Sequence, residues 1–92
     1  MVRPRCNPNI DFCPPYKCFQ PLGGKNLDVV TITTEEAEAL RLKNIENLDQ
    51  TQAAERMGIS QSTFQRILSG AYKKVTEALI EGKELRITDK QE

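Results

Sequence analysis

The chain has 92 residues, no His, no Trp, and equal numbers of Lys plus Arg and Asp plus Glu, for a formal net charge of zero. That length allows one domain with one appendage, around a single modest core. No stretch is long or apolar enough to span a bilayer, and Met1-Val2-Arg3-Pro4-Arg5 lacks the apolar run of a signal peptide, so the expected compartment is the cytoplasm. The charge is segregated along the chain. Residues 1–26 carry Arg3, Arg5, Lys17 and Lys25 against Asp11 alone, and residues 50–76 carry Arg56, Arg66, Lys73 and Lys74 against Glu55 alone. Acids outnumber bases in residues 27–49 and 77–92. A polyanion is steered by such local fields and not by the chain total.

Residues 1–26 read as an irregular arm rich in Cys and Pro. Pro4, Pro8, Pro14, Pro15 and Pro21 forbid a continuous helix. Gly23-Gly24 marks a loose turn. Phe12, Tyr16 and Phe19 are the expected anchors of this arm on the body. The arm also holds all three cysteines, Cys6, Cys13 and Cys18, separated by six and four residues. A structural zinc site takes four N or S ligands, so three thiols would need Asp11 or a second chain to complete it. An odd count in a reducing compartment argues against disulfides. Two readings stand: plain thiols, or a metal- or redox-responsive site in which thiolates next to Arg5 or Lys17 react. The sequence requires no cofactor.

The body is expected over residues 27–87, with a mobile tail at 88–92. Asp28-Val29-Val30-Thr31-Ile32 is short and rich in β-branched residues, which predicts a strand. Thr33-Thr34-Glu35-Glu36 predicts a capping box, with Thr33 as the cap and Glu36 reaching back. A first helix follows from Thr34 to about Lys43, its stripe formed by Ala37, Leu40, Leu42 and Ile45. Glu35, Glu36 and Glu38 read as capping groups and a solvated face, not as an acid–base pair. A second helix is expected at Gln50–Met57. A long third helix runs from Gln61 to about Ile80, because Phe64, Ile67, Leu68, Ala71, Val75, Ala78 and Leu79 keep helical spacing past Gly70. Gly82 is the expected left-handed stop. Leu85-Arg86-Ile87 alternates and can pair as a strand with Val29–Ile32. The fold class is thus mainly α: three helices with a long third one, the irregular arm, and one or two short strands.

The segment Gln50 to Ser69 carries the function. It reads as a helix-turn-helix: Ala53 and Ala54 allow close approach of two helices, Gly58 supplies the turn, and Met57, Ile59, Phe64 and Ile67 fill the corner. Ser60 is placed to cap the third helix. An ordinary helical hairpin would also explain Gly58 and the apolar corner. It would not explain an outward face free of acids and rich in amides. Gln61, Ser62, Gln65 and Arg66 on that face are the expected base readers, since Gln suits adenine and Arg suits guanine. Arg56, Ser60, Thr63, Lys73 and Lys74 are the expected phosphate contacts, with Arg3 and Arg5 joining from the arm. The apolar stripe from Ala71 to Leu79 exceeds what the first helix covers, which predicts a homodimer.

The segments Ala53-Ala54-Glu55-Arg56-Met57-Gly58-Ile59-Ser60 and Thr63-Phe64-Gln65-Arg66-Ile67 resemble the fourth region of bacterial sigma factors. More narrowly, the chain resembles a family of small bacterial and archaeal proteins, domain of unknown function 134, generally described as DNA-binding. Arg3-Pro4-Arg5, Phe19-Gln20-Pro21-Leu22-Gly23, Glu36-Ala37-Glu38-Ala39-Leu40-Arg41-Leu42 and Ala78-Leu79-Ile80-Glu81-Gly82-Lys83 carry this likeness, which covers roughly residues 2 to 87. The resemblance implies the fold and binding of double-stranded DNA. The expected function is therefore sequence-specific DNA binding in transcription regulation. A protein–protein adaptor built on the same helices, or a thiol- or metal-responsive regulator acting through the N-terminal cysteines, is the alternative. Catalysis has no support: a triad would lack its usual base, and Gly23-Gly24-Lys25 lacks the flanking residues of a phosphate loop. Neither a small-molecule substrate nor a membrane partner is expected.

Overall fold

A computed structural model describes residues 16–88. Along the chain run β1 (Cys18–Phe19), β2 (Val29–Thr33), α1 (Thr34–Leu40) continuing into a π-helical turn (Arg41–Ile45), α2 (Gln50–Met57), α3 (Gln61–Glu81) and β3 (Glu84–Thr88). The three strands form one sheet in the order β1-β3-β2, so the fold is mainly α with a small sheet. Phe12, Cys6, Cys13, Arg3, Arg5 and most of the tail at 88–92 lie outside the described residues.

Alternation makes the sheet one-sided. Val30 and Ile32 are buried while Val29 and Thr31 are exposed. Val30 aligns with Leu85 and Ile32 with Ile87, which puts these four side chains on the face toward α3. β2 and β3 run parallel, and the three helices form the crossover that parallel pairing requires. The expected pairing of the two strands is thereby met. β1 was not foreseen: Cys18 pairs antiparallel with Arg86 and Phe19 with Leu85, so part of the Pro-rich stretch belongs to the sheet. Tyr16, expected as an anchor, is 72% exposed, and Phe19 is only half-covered.

Thr33 caps α1 as its sequence predicts. Thr33 Oγ1 accepts from the Glu36 N–H at 3.1 Å, and Glu36 Oε1 accepts from the Thr33 N–H at 2.9 Å. The apolar stripe differs from the one expected. Ala39 and Leu42 are fully buried, whereas Ile45 is exposed. For Ile45 the cause is the π-helical turn, which widens the helix and shifts its phase. Asn44 Nδ2 donates to the Leu40 carbonyl at 3.1 Å, the Glu46 N–H reaches back five residues to Arg41, and Asn47 ends the run at φ 60°. Glu38 also departs from expectation. It is buried and not solvated, because Arg41 grips it from both sides: Nε to Oε1 at 2.9 Å and Nη2 to Oε2 at 3.0 Å. A planar guanidinium satisfying both carboxylate oxygens is what makes a buried Glu tolerable.

α2 begins with a second reciprocal cap. Asp49 Oδ1 accepts from the Gln52 N–H, and Gln52 Oε1 accepts from the Asp49 N–H. It ends at Gly58, whose φ of 69° is the left-handed conformation a Cβ disfavours. The Ile59 N–H bonds the Ala54 carbonyl and the Gly58 N–H bonds the Glu55 carbonyl, which closes the turn tightly. Ser60 then caps α3 by accepting from the Thr63 N–H at 3.1 Å. Phe64, fully buried, plugs the space among Ala39, Leu42, Ala53, Ala54, Met57 and Leu68. α3 passes unbroken through Gly70. A Cβ there would come within 3.3 Å of Glu36 Oε2, so the glycine makes room for the carboxylate that caps α1. α3 stops at Gly82, φ 69°, as expected.

Candidate nucleic-acid interface

The first turns of α3 present Gln61, Ser62, Gln65 and Arg66, all exposed. With a step of about 100° per residue, Ser62, Arg66, Ser69 and Lys73 fall on one stripe along the helix. Arg66 makes no hydrogen bond or ion pair among the described residues, so its five donors are available. Gln65 is held instead. It accepts from Gln50 Nε2 at the start of α2 and donates to Ser69 Oγ at 3.2 Å. These are exposed contacts, which a base edge can replace.

The expected phosphate residues fall into three groups. Arg56 on α2 and Lys73 on α3 are exposed. Ser60 and Thr63 are engaged with each other: the Ser60 hydroxyl donates to Thr63 Oγ1 at 2.9 Å while its lone pairs cap the helix. Lys74 is turned aside to Glu36, with Nζ 3.0 Å from Oε2. α3 thus brings Arg66 and Lys73 to the outer face and sends Lys74 toward α1.

A second polar cluster lies on the sheet and was missed in the sequence. Glu84, on β3, is buried under three donors. Cys18 Sγ donates to Oε2 at 3.2 Å, Gln20 Nε2 to Oε1 at 3.0 Å, and Arg86 Nε to Oε2 at 2.5 Å. The Cys18 bond, then those from Gln20 and Arg86, hold the Glu84 carboxyl below its usual range. Reciprocally, the Glu84 bond raises the Cys18 thiol and the Arg86 guanidinium. At Cys18 this favours the plain thiol of the two readings over a reactive thiolate. Among the described residues, no group of Cys, Asp and Glu side chains could hold a metal ion. The available signal was Glu84-Leu85-Arg86: in a strand, alternate residues share a face. At the end of α3, Lys83 lies 2.7 Å from Glu77 and 3.1 Å from Glu81. These bonds push the Lys83 ammonium up and the Glu77 carboxyl down. No helix among the described residues is long and apolar enough to cross a membrane.

The chain is similar to proteins bearing the name UPF0251 protein. The one from Desulforudis audaxviator is 49% identical over 86 residues, covering 91% of this chain and 56% of the relative. The one from Halothermothrix orenii is 42% identical over 88 residues, covering 94% of this chain and 65% of the relative. An archaeal relative, from Methanosarcina mazei, is 47% identical over 88 residues, covering 94% and 54%. The chain thus spans between half and two thirds of the length of these relatives. No solved structure matches it significantly. Residues 1–91 match the family described as Protein of unknown function DUF134, and the chain belongs to that family.

Proposed function

We propose that this protein binds double-stranded DNA sequence-specifically, with α2, the Gly58 turn and α3 acting as a helix-turn-helix in transcription regulation. The observation that carries the reading is the acid-free face at the start of α3, where Gln61, Ser62, Gln65 and an unpaired Arg66 stand exposed over a sealed core. A helix N-terminus so furnished fits a major groove, with amides for adenine and the guanidinium for guanine. Arg56 and Lys73 flank it as phosphate contacts. DNA is a cytoplasmic partner in a bacterium or an archaeon, and no catalytic step belongs to this role. The test is enrichment of bound sequences from a random duplex pool, with affinity measured against salt, with and without reductant. Enrichment of one motif, with binding that weakens as salt rises, supports the reading. Binding without enrichment, or unaffected by salt, contradicts it and favours the adaptor.

The protein acts as a dimer in this reading. Leu79 and Ile80 are 77% and 74% exposed near the end of α3. Exposed apolar surface of this kind gains from a partner at roughly 25 cal/mol per Å² buried. Sedimentation at micromolar concentration is expected to show two copies, and Leu79→Asp to give one, since a buried unpaired carboxylate is costly. A wild-type monomer there would remove the dimer from the account.

A further inference from the structure

Strand β3 leaves the end of α3 and runs back along it, so the far end of the sheet faces the first half of the helix. An open groove of about 850 Å³ is bordered by residues of β2, β3, α3 and the start of α1. Arg66 and Lys74 line its helix side, and Thr31, Thr33 and Arg86 line its sheet side. Two acids, Glu35 and Glu36, also border it, and Glu36 is matched by Lys74. The face expected to read bases therefore has two flanks. α2 touches it through Gln50 and Gln65, and the groove with the sheet end lies on the Arg66 side.

Arg86 is prepared for a ligand in a way an isolated surface arginine is not. Its Nε–H is held by Glu84, which is itself fixed by Gln20 and Cys18. Its side chain is nevertheless 57% exposed, so the Nη groups remain to donate in the fork geometry that suits a phosphate. Thr31 is its cross-strand neighbour on the same outward face and adds a hydroxyl. Both groups are of the kind that contacts DNA backbone and not base edges.

We infer that the outward face of the sheet at Arg86, with Thr31 beside it, is a second phosphate contact: a wing that grips the duplex backbone next to the segment read by α3. This inference rests on the DNA-binding reading above. The probe is a random-sequence duplex together with a duplex carrying the enriched motif, each titrated with the full chain across a salt series. Each phosphate neutralised contributes about 0.9 to the slope of log affinity against log salt. Arg86→Ala should therefore flatten the slope by about one unit on both duplexes, narrowing its affinity gap from wild type roughly threefold between 50 and 200 mM salt. Thr31→Lys, which adds a cation at the same place, should steepen the slope by about one unit. A gain of this kind cannot come from loss of fold. Unchanged slopes in both variants, while the wild type still binds, overturn the wing and leave the DNA reading standing. A flatter slope in Arg86→Ala with no change in Thr31→Lys assigns Arg86 a structural role and also overturns the wing. A wild type that binds neither duplex at low salt overturns both.

Discussion

At its N-terminal end α3 carries amides, hydroxyls and one guanidinium above a core sealed by Phe64. At its C-terminal end the same helix carries Leu79 and Ile80, both largely uncovered. The first end has its apolar groups buried and its polar groups outside, which suits a hydrated, charged partner. The second leaves apolar surface in water, near a groove of about 390 Å³ lined by Phe19, Val75, Leu79 and Leu85. One helix thus joins a finished polar surface to an unfinished apolar one. In the function proposed above, the difference separates two tasks: reading DNA at one end and holding a second copy at the other.

The sharpest way to break the comparison is to unseal the polar end. Phe64→Ala removes the side chain at the centre of the cluster and is expected to destabilise the fold by about 4 kcal/mol. Denaturant unfolding would show it, and DNA binding should fall with it. A variant with wild-type stability would mean that the two helices are not held by this core. Next comes the buried pair in α1. Arg41→Ala strands the Glu38 carboxylate, buried at 2% exposure, and should cost roughly 3 kcal/mol. Pairing it with Glu38→Leu should restore most of the loss, because the charge is then gone. If the double variant is no more stable than the single, Glu38 is not the source.

Much of this was legible in the sequence. Thr33 and Glu36 announce their capping box by spacing alone, and Gly58 and Ser60 fix the α2–α3 turn because few residues accept those backbone angles or supply that cap. Gly82 marks the helix end for the same reason. Where reading failed, the deciding contacts were remote or changed the helical phase. The π-helical turn moved Ile45 out of the stripe, and no periodicity of 3.6 anticipates that. Glu38 looked solvated because a Glu on a helix generally is, and only the three-dimensional placement buries it against Arg41. β1 was hidden by its neighbours: Cys18 and Phe19 follow Pro14 and Pro15 and pair with residues near the other end of the chain. In the candidate site, exposure of Gln61, Ser62, Gln65 and Arg66 followed from helical phase. The diversion of Lys74 to Glu36 did not, because it depends on how α1 packs against α3.

Smaller effects sharpen the account. Gly58→Ala meets no atom within 4 Å, so only backbone strain opposes it, and the expected cost is about 1 kcal/mol. A much larger loss would mean that the turn itself is in contact with something. The smallest effect is a dependence on pH. Glu84 has its folded pKa depressed, so its contribution is present above the unfolded carboxyl value and fades as pH falls through the folded one. Thermal melts of wild type and Glu84→Gln should therefore differ at neutral pH and converge as pH falls through the depressed folded value. A gap that persists unchanged in acid would show that the carboxylate charge is not what the three donors stabilise.

The central claim is that the outer face of α3 reads bases, and comparing sequence selection by wild type and Arg66→Ala tests it most directly. Wild type should enrich one motif from a random duplex pool. Arg66→Ala should bind that motif more weakly by about 1–3 kcal/mol and lose preference at one or two of its positions, keeping the rest. Equal affinity and an identical motif from the two proteins would contradict the account, because the exposed guanidinium would then read nothing.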